Sequence, residues 1–198
     1  KKHTVILWMK VVVACVPAAV MGLLFDDWME AHLMNAYVVA AALILYGILF
    51  IVVENINYGK RPAIERVGDI TYKTALIIGL FQVLSLVPGT SRSGSTILGA
   101  MIIGCSRPAA AEFSFFLGIP VMFGASLLKI VKFGFHFTGA EIFILLFGMV
   151  VAFIVSVFSI KFLMSYIRKN DFKLFGIYRI VLGVIVVIFF AVRTIMGL

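Results

Sequence analysis

Long apolar runs separated by short polar breaks organise this chain: residues 4–25, 36–53, 109–132, 141–166 and 175–196 each carry few charges. A helix needs roughly 20 apolar residues to cross a bilayer, so each of these runs predicts a spanning helix. Residues 74–106 break the pattern. The apolar flanks 74–87 and 97–105 are each too short to span. Between them lies the polar run Pro88-Gly89-Thr90-Ser91-Arg92-Ser93-Gly94-Ser95-Thr96. The pattern predicts either a re-entrant helical hairpin or one spanning helix broken at its middle.

Composition agrees. The 198 residues are 63% hydrophobic and only 13% charged, with a mean hydropathy of +1.16. Such a chain is no soluble globular domain. The fold class is an all-α polytopic membrane protein, about five spanning helices plus one re-entrant hairpin, in a single membrane domain. The net charge of +8 sits at segment ends, which makes it a topology signal and argues against a nucleic-acid partner. Cys15 and Cys105 lie in apolar surroundings without disulfide or metal spacing and read as core filler. His3, His32 and His136 are scattered, with no ligand spacing. The first run is long enough to span and lacks a small-residue cleavage pattern, so it does not read as a signal peptide. The chain starts Lys-Lys-His without an initiator methionine, which suggests an upstream segment.

Charge then chooses between the two readings of 74–106. The loop 54–73 contains Lys60, Arg61, Arg66 and Lys73, and the positive-inside rule places it in the cytoplasm. The acidic segment Asp26-Asp27-Trp28-Met29-Glu30 then falls outside, as a turn. It reads as a solvated turn sooner than as a magnesium or calcium site. A hairpin that returns to the side it left brings Arg168, Lys169 and Lys173 into the cytoplasm too. A broken spanning helix puts them outside, against the rule. The re-entrant hairpin is therefore expected, opening to the cytoplasm with its tip near the midplane. One re-entrant pair followed by three spans resembles half of an inverted repeat, with residues 1–53 as the tail of an earlier copy and 74–198 as the second.

The tip has the chemistry of an anion cradle. Pro88 ends the first half-helix, and Gly89 and Gly94 let the backbone come close to a ligand. Ser93 and Ser95 are suitable N-caps for the second half-helix, whose free N–H groups and positive dipole end point into the tip. Arg92 offers a planar fork suited to phosphate or carboxylate. An unpaired guanidinium at membrane depth costs at least about 3 kcal/mol, which makes an anionic ligand the default expectation. Ser91, Ser93, Ser95 and Thr96 add hydroxyls for binding, or one nucleophile. The plainer alternative is a chain-turning loop with Arg92 reaching to the surface. Elsewhere, Glu112 reads equally as a helix-start acid or as a partner for Arg92 or Arg107. Gln82 and Ser85 read as interhelical glue. Lys161, Arg179 and Arg193 read as snorkelling side chains with no chemistry.

The nine residues from Pro88 to Thr96 resemble a signature motif of the bacterial undecaprenyl-diphosphate phosphatase family, integral-membrane enzymes associated with bacitracin resistance. Gly79-Leu80-Phe81-Gln82, Ala111-Glu112-Phe113-Ser114-Phe115, Ile119-Pro120 and Ile177-Tyr178-Arg179 are similar as well, in order along essentially the whole chain. The resemblance implies hydrolysis of undecaprenyl diphosphate to the monophosphate, which recycles a lipid carrier for cell-wall synthesis. It also implies a bacterial plasma (inner) membrane location, an inverted-repeat fold with two re-entrant hairpins, a site facing outward and a divalent cation, magnesium or calcium. By the same resemblance Arg92 clamps the diphosphate, Ser91 and Thr96 act beside it on phosphate oxygens, and Gly89, Ser93, Gly94 and Ser95 complete the binding cradle. The partners it implies are the polyprenyl diphosphate substrate and membrane lipids, with a homo-oligomer left open. The family's earlier motif, paired glutamates followed by Ser-Ser-Thr-Gly-His, has no match here, so no metal ligands are assigned and the chain reads as a C-terminal part with incomplete catalytic machinery. A transporter or flippase for an anionic lipid is the rival reading, because broken helices with an anion site at mid-depth also serve transport.

Overall fold

The computed structural model describes residues 2–134 and 137–196, without the side chains of Asp26 and Glu30. His136, read above as a scattered loop histidine, lies outside the described residues. Among the described residues seven α-helices form: α1 (Lys2–Leu33), α2 (Ala36–Asn57), α3 (Tyr72–Val83), α4 (Arg92–Ile102), α5 (Arg107–Phe133), α6 (Gly139–Lys169) and α7 (Lys173–Ile195). Five of them are long and apolar enough to cross a membrane, while α3 and α4 are the short arms of the hairpin. The protein is an all-α polytopic membrane protein.

Side chains at the helix starts satisfy the free N–H groups. Asn35 accepts from Val38 N at 2.9 Å, Thr71 from Thr74 N at 3.1 Å and Ser106 from Ala109 N at 3.2 Å. Thr138 and Glu141 form a reciprocal capping box on α6. Two boundaries differ from the sequence expectation. The acidic segment 26–30 is helical and continues α1 to Leu33, because no glycine or proline interrupts residues 23–34. Helix α2 runs on to Asn57, which takes Glu54 out of the loop and into its last turns.

The hairpin returns to the side it left. The loop after α2 pairs with the end of α4: Ile64 N–H donates to Gly104 O at 3.1 Å, and Ser106 N–H donates to Ile64 O at 2.8 Å. Asn57 donates to Met101 O at 3.2 Å. At the same level, the Arg107 guanidinium holds the Glu54 carboxylate through Nε at 2.9 Å, and the Phe172 N–H reaches that carboxylate at 2.9 Å. The ends of α2 and α4 and the starts of α5 and α7 therefore meet on one face, together with the basic segments. Cys105 is buried at this hairpin mouth, where burial pushes its thiol up to about 11.

From that face α3 climbs beside α1 in the same direction. Lys10 donates to Gly68 O at 3.3 Å, Gly79 lies against the Ala14 backbone and Gly22 lies against Leu86. Helices α2 and α7 cross antiparallel at glycines: an ideal Cβ on Gly47 would sit 2.7 Å from Gly176 O, and one on Gly183 would sit 3.0 Å from Ala40 O. Small residues let backbones approach where lipid offers no hydrophobic drive for helix association. Gly47→Val should force the two helices apart. The expected loss is about 1–3 kcal/mol, the usual range for overpacking, read as a lower melting temperature in detergent. Helix α6 is the outlier in packing, with Ile167 its one buried residue and an apolar face turned outward. Such a surface suits hydrocarbon.

Candidate functional site

The chain leaves α3 through a 3-10 turn, Leu84–Leu86, rounds the tip and enters α4 at Arg92. The first arm thus ends before Pro88. Gly89 has φ +90°, and an ideal Cβ there would lie 2.5 Å from Val39 O. Only glycine fits both demands. Val39 is one turn from the start of α2, so the tip packs near the end of α2 opposite the basic loops.

Ser91 is the α4 cap, in place of the expected Ser93 or Ser95. Its hydroxyl accepts from Gly94 N–H at 3.3 Å. Its φ of 70° makes it the one non-glycine residue with positive φ among the described residues. Such backbone strain costs of order 1–3 kcal/mol and concentrates at functional sites. The Ser93 hydroxyl lies 3.4 Å from that of Ser91, and both residues are half-buried.

Arg92, the first residue of α4, turns its guanidinium toward α5. Nη1 donates to Ser114 O at 3.2 Å. The guanidinium lies on the bare backbone of Gly118, where an ideal Cβ would be 2.5 Å from Nη2. Gly118 is about 16 Å along α5 from Arg107, in the interior of a helix long and apolar enough to cross a membrane. Among the described residues no carboxylate pairs with Arg92; the ion pair there is Arg107–Glu54. Glu112, weighed above as a partner for either arginine, is bonded to neither.

The other tip residues divide into two groups. Gly89, Ser91, Ser93 and Gly94 lie with Arg92 at the head of α4. Ser95 and Thr96 are fully buried and hold the hairpin together. The Ser95 hydroxyl donates to Phe81 O. The Thr96 hydroxyl meets Arg92 O at 3.0 Å, Ser93 O at 3.1 Å and Ser114 Oγ at 2.7 Å. Both hydroxyls, expected from sequence at the phosphate, are hydrogen-bonded to protein groups in this structure.

Arg179 overturns the snorkelling expectation. It is 4% exposed, and Nη2 donates to Gly89 O at 2.6 Å and Thr90 O at 2.9 Å. Its guanidinium also stands 6.0 Å from the Tyr46 ring centroid, within cation–π range. One buried cation from α7 thus anchors the tip. The signal was present in sequence: Gly176, Arg179 and Gly183 share one helical face, and glycine at that spacing marks the packed face of α7. Arg179→Ala should free the tip, lowering both the melting temperature and activity. Arg179→Lys, which lacks the planar fork, should restore little.

Gln82 is buried, as expected of interhelical glue, yet neither of its amide atoms has a partner. No group of three or more His, Cys, Asp or Glu among the described residues lies together in a way that holds a metal ion. The described residues therefore supply no ligand set for a magnesium or calcium ion, and no chemical step is routed through one.

The family described as "Bacitracin resistance protein BacA" matches residues 1–185. This chain belongs to the BacA family. An undecaprenyl-diphosphatase of Desulfitobacterium hafniense is 61% identical over the whole chain, which covers 71% of that protein. An undecaprenyl-diphosphatase of Enterococcus faecalis is 62% identical over 97% of the chain and 70% of its own length. Another, from Acetivibrio thermocellus, is 62% identical over 98% of the chain and 71% of its own length. In this BacA family chain, a strained serine cap, a second hydroxyl, a helix N-terminus and a guanidinium without a carboxylate partner meet at depth. That arrangement has the chemistry to receive negative charge.

Proposed function

We propose that the chain acts in the hydrolysis of undecaprenyl diphosphate to undecaprenyl phosphate and inorganic phosphate in the bacterial plasma membrane. The observation that carries this reading is Arg92, held at depth against Gly118 and Ser114 O with no carboxylate to neutralise it. Water adds across the anhydride: the bond from the terminal phosphorus to the bridging oxygen breaks, that phosphorus gains a hydroxyl, and the lipid monophosphate leaves. Phosphoryl transfer relies on positioning and charge neutralisation. Arg92 supplies a cation to the terminal phosphate. Ser91 and Ser93 supply hydrogen bonds, and the α4 N-terminus adds a dipole pointed at the same oxygens. The name shared by the relatives supports this substrate.

The test is phosphate release from undecaprenyl diphosphate in detergent micelles, measured on this chain and in parallel on a relative of full family length. Ser91→Ala, which removes one hydroxyl and the α4 cap, should slow release about tenfold or more. Retained binding of the lipid diphosphate without release by either protein would assign the site to transport instead.

A further inference from the structure

A second basic site lies at the other end of α4. A cavity of about 490 Å³ opens on the face where the hairpin begins and ends, and Lys60, Arg61, Arg107 and Arg168 are among its lining residues. Glu54 is the one carboxylate in that lining, and it is already held by Nε and Nη2 of Arg107 and by the Phe172 N–H. Nη1 of Arg107 has no partner among the described residues, and the Arg107 side chain is 36% exposed. Lys60, Arg61 and Arg168 are exposed. Asp171 lies near Arg107, but its carboxylate accepts from Lys173 N–H at 3.2 Å and does not line the cavity.

The wall is built in advance. The loop that carries Lys60 and Arg61 is pinned to the hairpin mouth through Ile64 N–H, Ser106 N–H and the Ser106 hydroxyl, which donates to Glu65 O at 2.8 Å. The start of α5 at Ser106 adds the positive end of a helix dipole. Three cations, Lys60, Arg61 and Arg168, beside the neutralised Arg107–Glu54 pair, in a formed concavity at a membrane face, match a singly or doubly charged phosphate group. The length of α4 separates this cavity from Arg92 by about 15 Å.

We propose that this cavity is a second anion site, separate from the tip, that takes a phosphate group, carried either by an anionic phospholipid headgroup or by free inorganic phosphate. The site stands on its own geometry and does not depend on the hydrolase reading.

The experiment is thermal unfolding of the purified chain in neutral detergent, at fixed ionic strength. Phosphatidylglycerol is titrated against phosphatidylcholine, and inorganic phosphate against chloride. Wild-type protein should gain a saturable rise in melting temperature. In the Lys60→Gln, Arg61→Gln, Arg168→Gln triple variant the apparent affinity should fall about tenfold or more, while Arg92→Ala should leave it unchanged. A rise with phosphatidylglycerol alone identifies the lipid headgroup. A rise with inorganic phosphate alone identifies the free anion, and a rise with both identifies the phosphate group itself. The proposal is overturned if neither anion exceeds its control, if the triple variant responds like wild type, or if Arg92→Ala abolishes the response. Substitution of exposed residues should not disturb folding, which the unliganded melting temperature of the triple variant checks directly.

Discussion

Arg92→Ala should lower phosphate release from undecaprenyl diphosphate by about 10²–10³-fold, the usual effect of removing one preorganised donor from a developing negative charge. The fold should survive, because the side chain makes a single hydrogen bond, to the Ser114 carbonyl, and holds no ion pair. Removing an uncompensated cation from the bilayer interior also relieves a desolvation cost, so the variant should melt no lower than wild type. Arg92→Lys should recover little activity, since an ammonium cannot repeat the planar two-pronged geometry. Gly118→Ala gives an independent check. Its new Cβ would lie within 2.5–2.9 Å of the guanidinium atoms, so the Arg92 side chain must swing aside while its charge is kept. A comparable loss of activity in Gly118→Ala would show that the position of the charge matters as well as its presence. Full activity in Arg92→Ala would remove the guanidinium from the chemistry altogether.

The hairpin was legible in sequence because its signals are local. Two apolar arms too short to span, a proline-glycine break and a flanking charge bias pick out a re-entrant pair, and the contacts at the hairpin mouth agree. The identity of the cap was less legible. Ser91, Ser93 and Ser95 are all competent N-caps by type. The choice was made by Gly89, forced against Val39, which fixes where the chain can re-enter a helix. The tasks of Ser95 and Thr96 were hidden for a related reason. A hydroxyl near an anion site looks the same in sequence whether it faces the ligand or a neighbouring carbonyl, and only the packing of α4 on α3 and α5 separates the two. Arg179 was misread because distance from a helix end says how far a side chain can reach, while the glycines on its face say which way it points.

Glu54→Ala should be among the most destabilising single substitutions in the chain, lowering stability by about 3–5 kcal/mol, the range seen when one member of a buried ion pair is removed. Glu54 is 1% exposed and joins three elements: it closes α2, accepts from Arg107 at the start of α5 and accepts from the Phe172 N–H at the start of α7. Its removal leaves the partly buried guanidinium and a backbone donor unpaired at once. Glu54→Gln keeps the shape and one acceptor but loses the charge, so it should fall between alanine and wild type. Arg107→Met should be milder than Glu54→Ala, because the carboxylate it leaves keeps the Phe172 N–H as a partner, whereas Glu54→Ala strands the guanidinium and that N–H together. The pair Glu54→Leu with Arg107→Met should recover much of the lost stability, since apolar replacement of both partners removes the desolvation cost together with the attraction. Melting temperatures of the four variants in one detergent decide the matter. Equal stability of Glu54→Ala and wild type would mean that the ion pair does not hold the hairpin mouth closed, and the shared level of α2, α5 and α7 would then rest on the glycine crossings and the loop contacts alone.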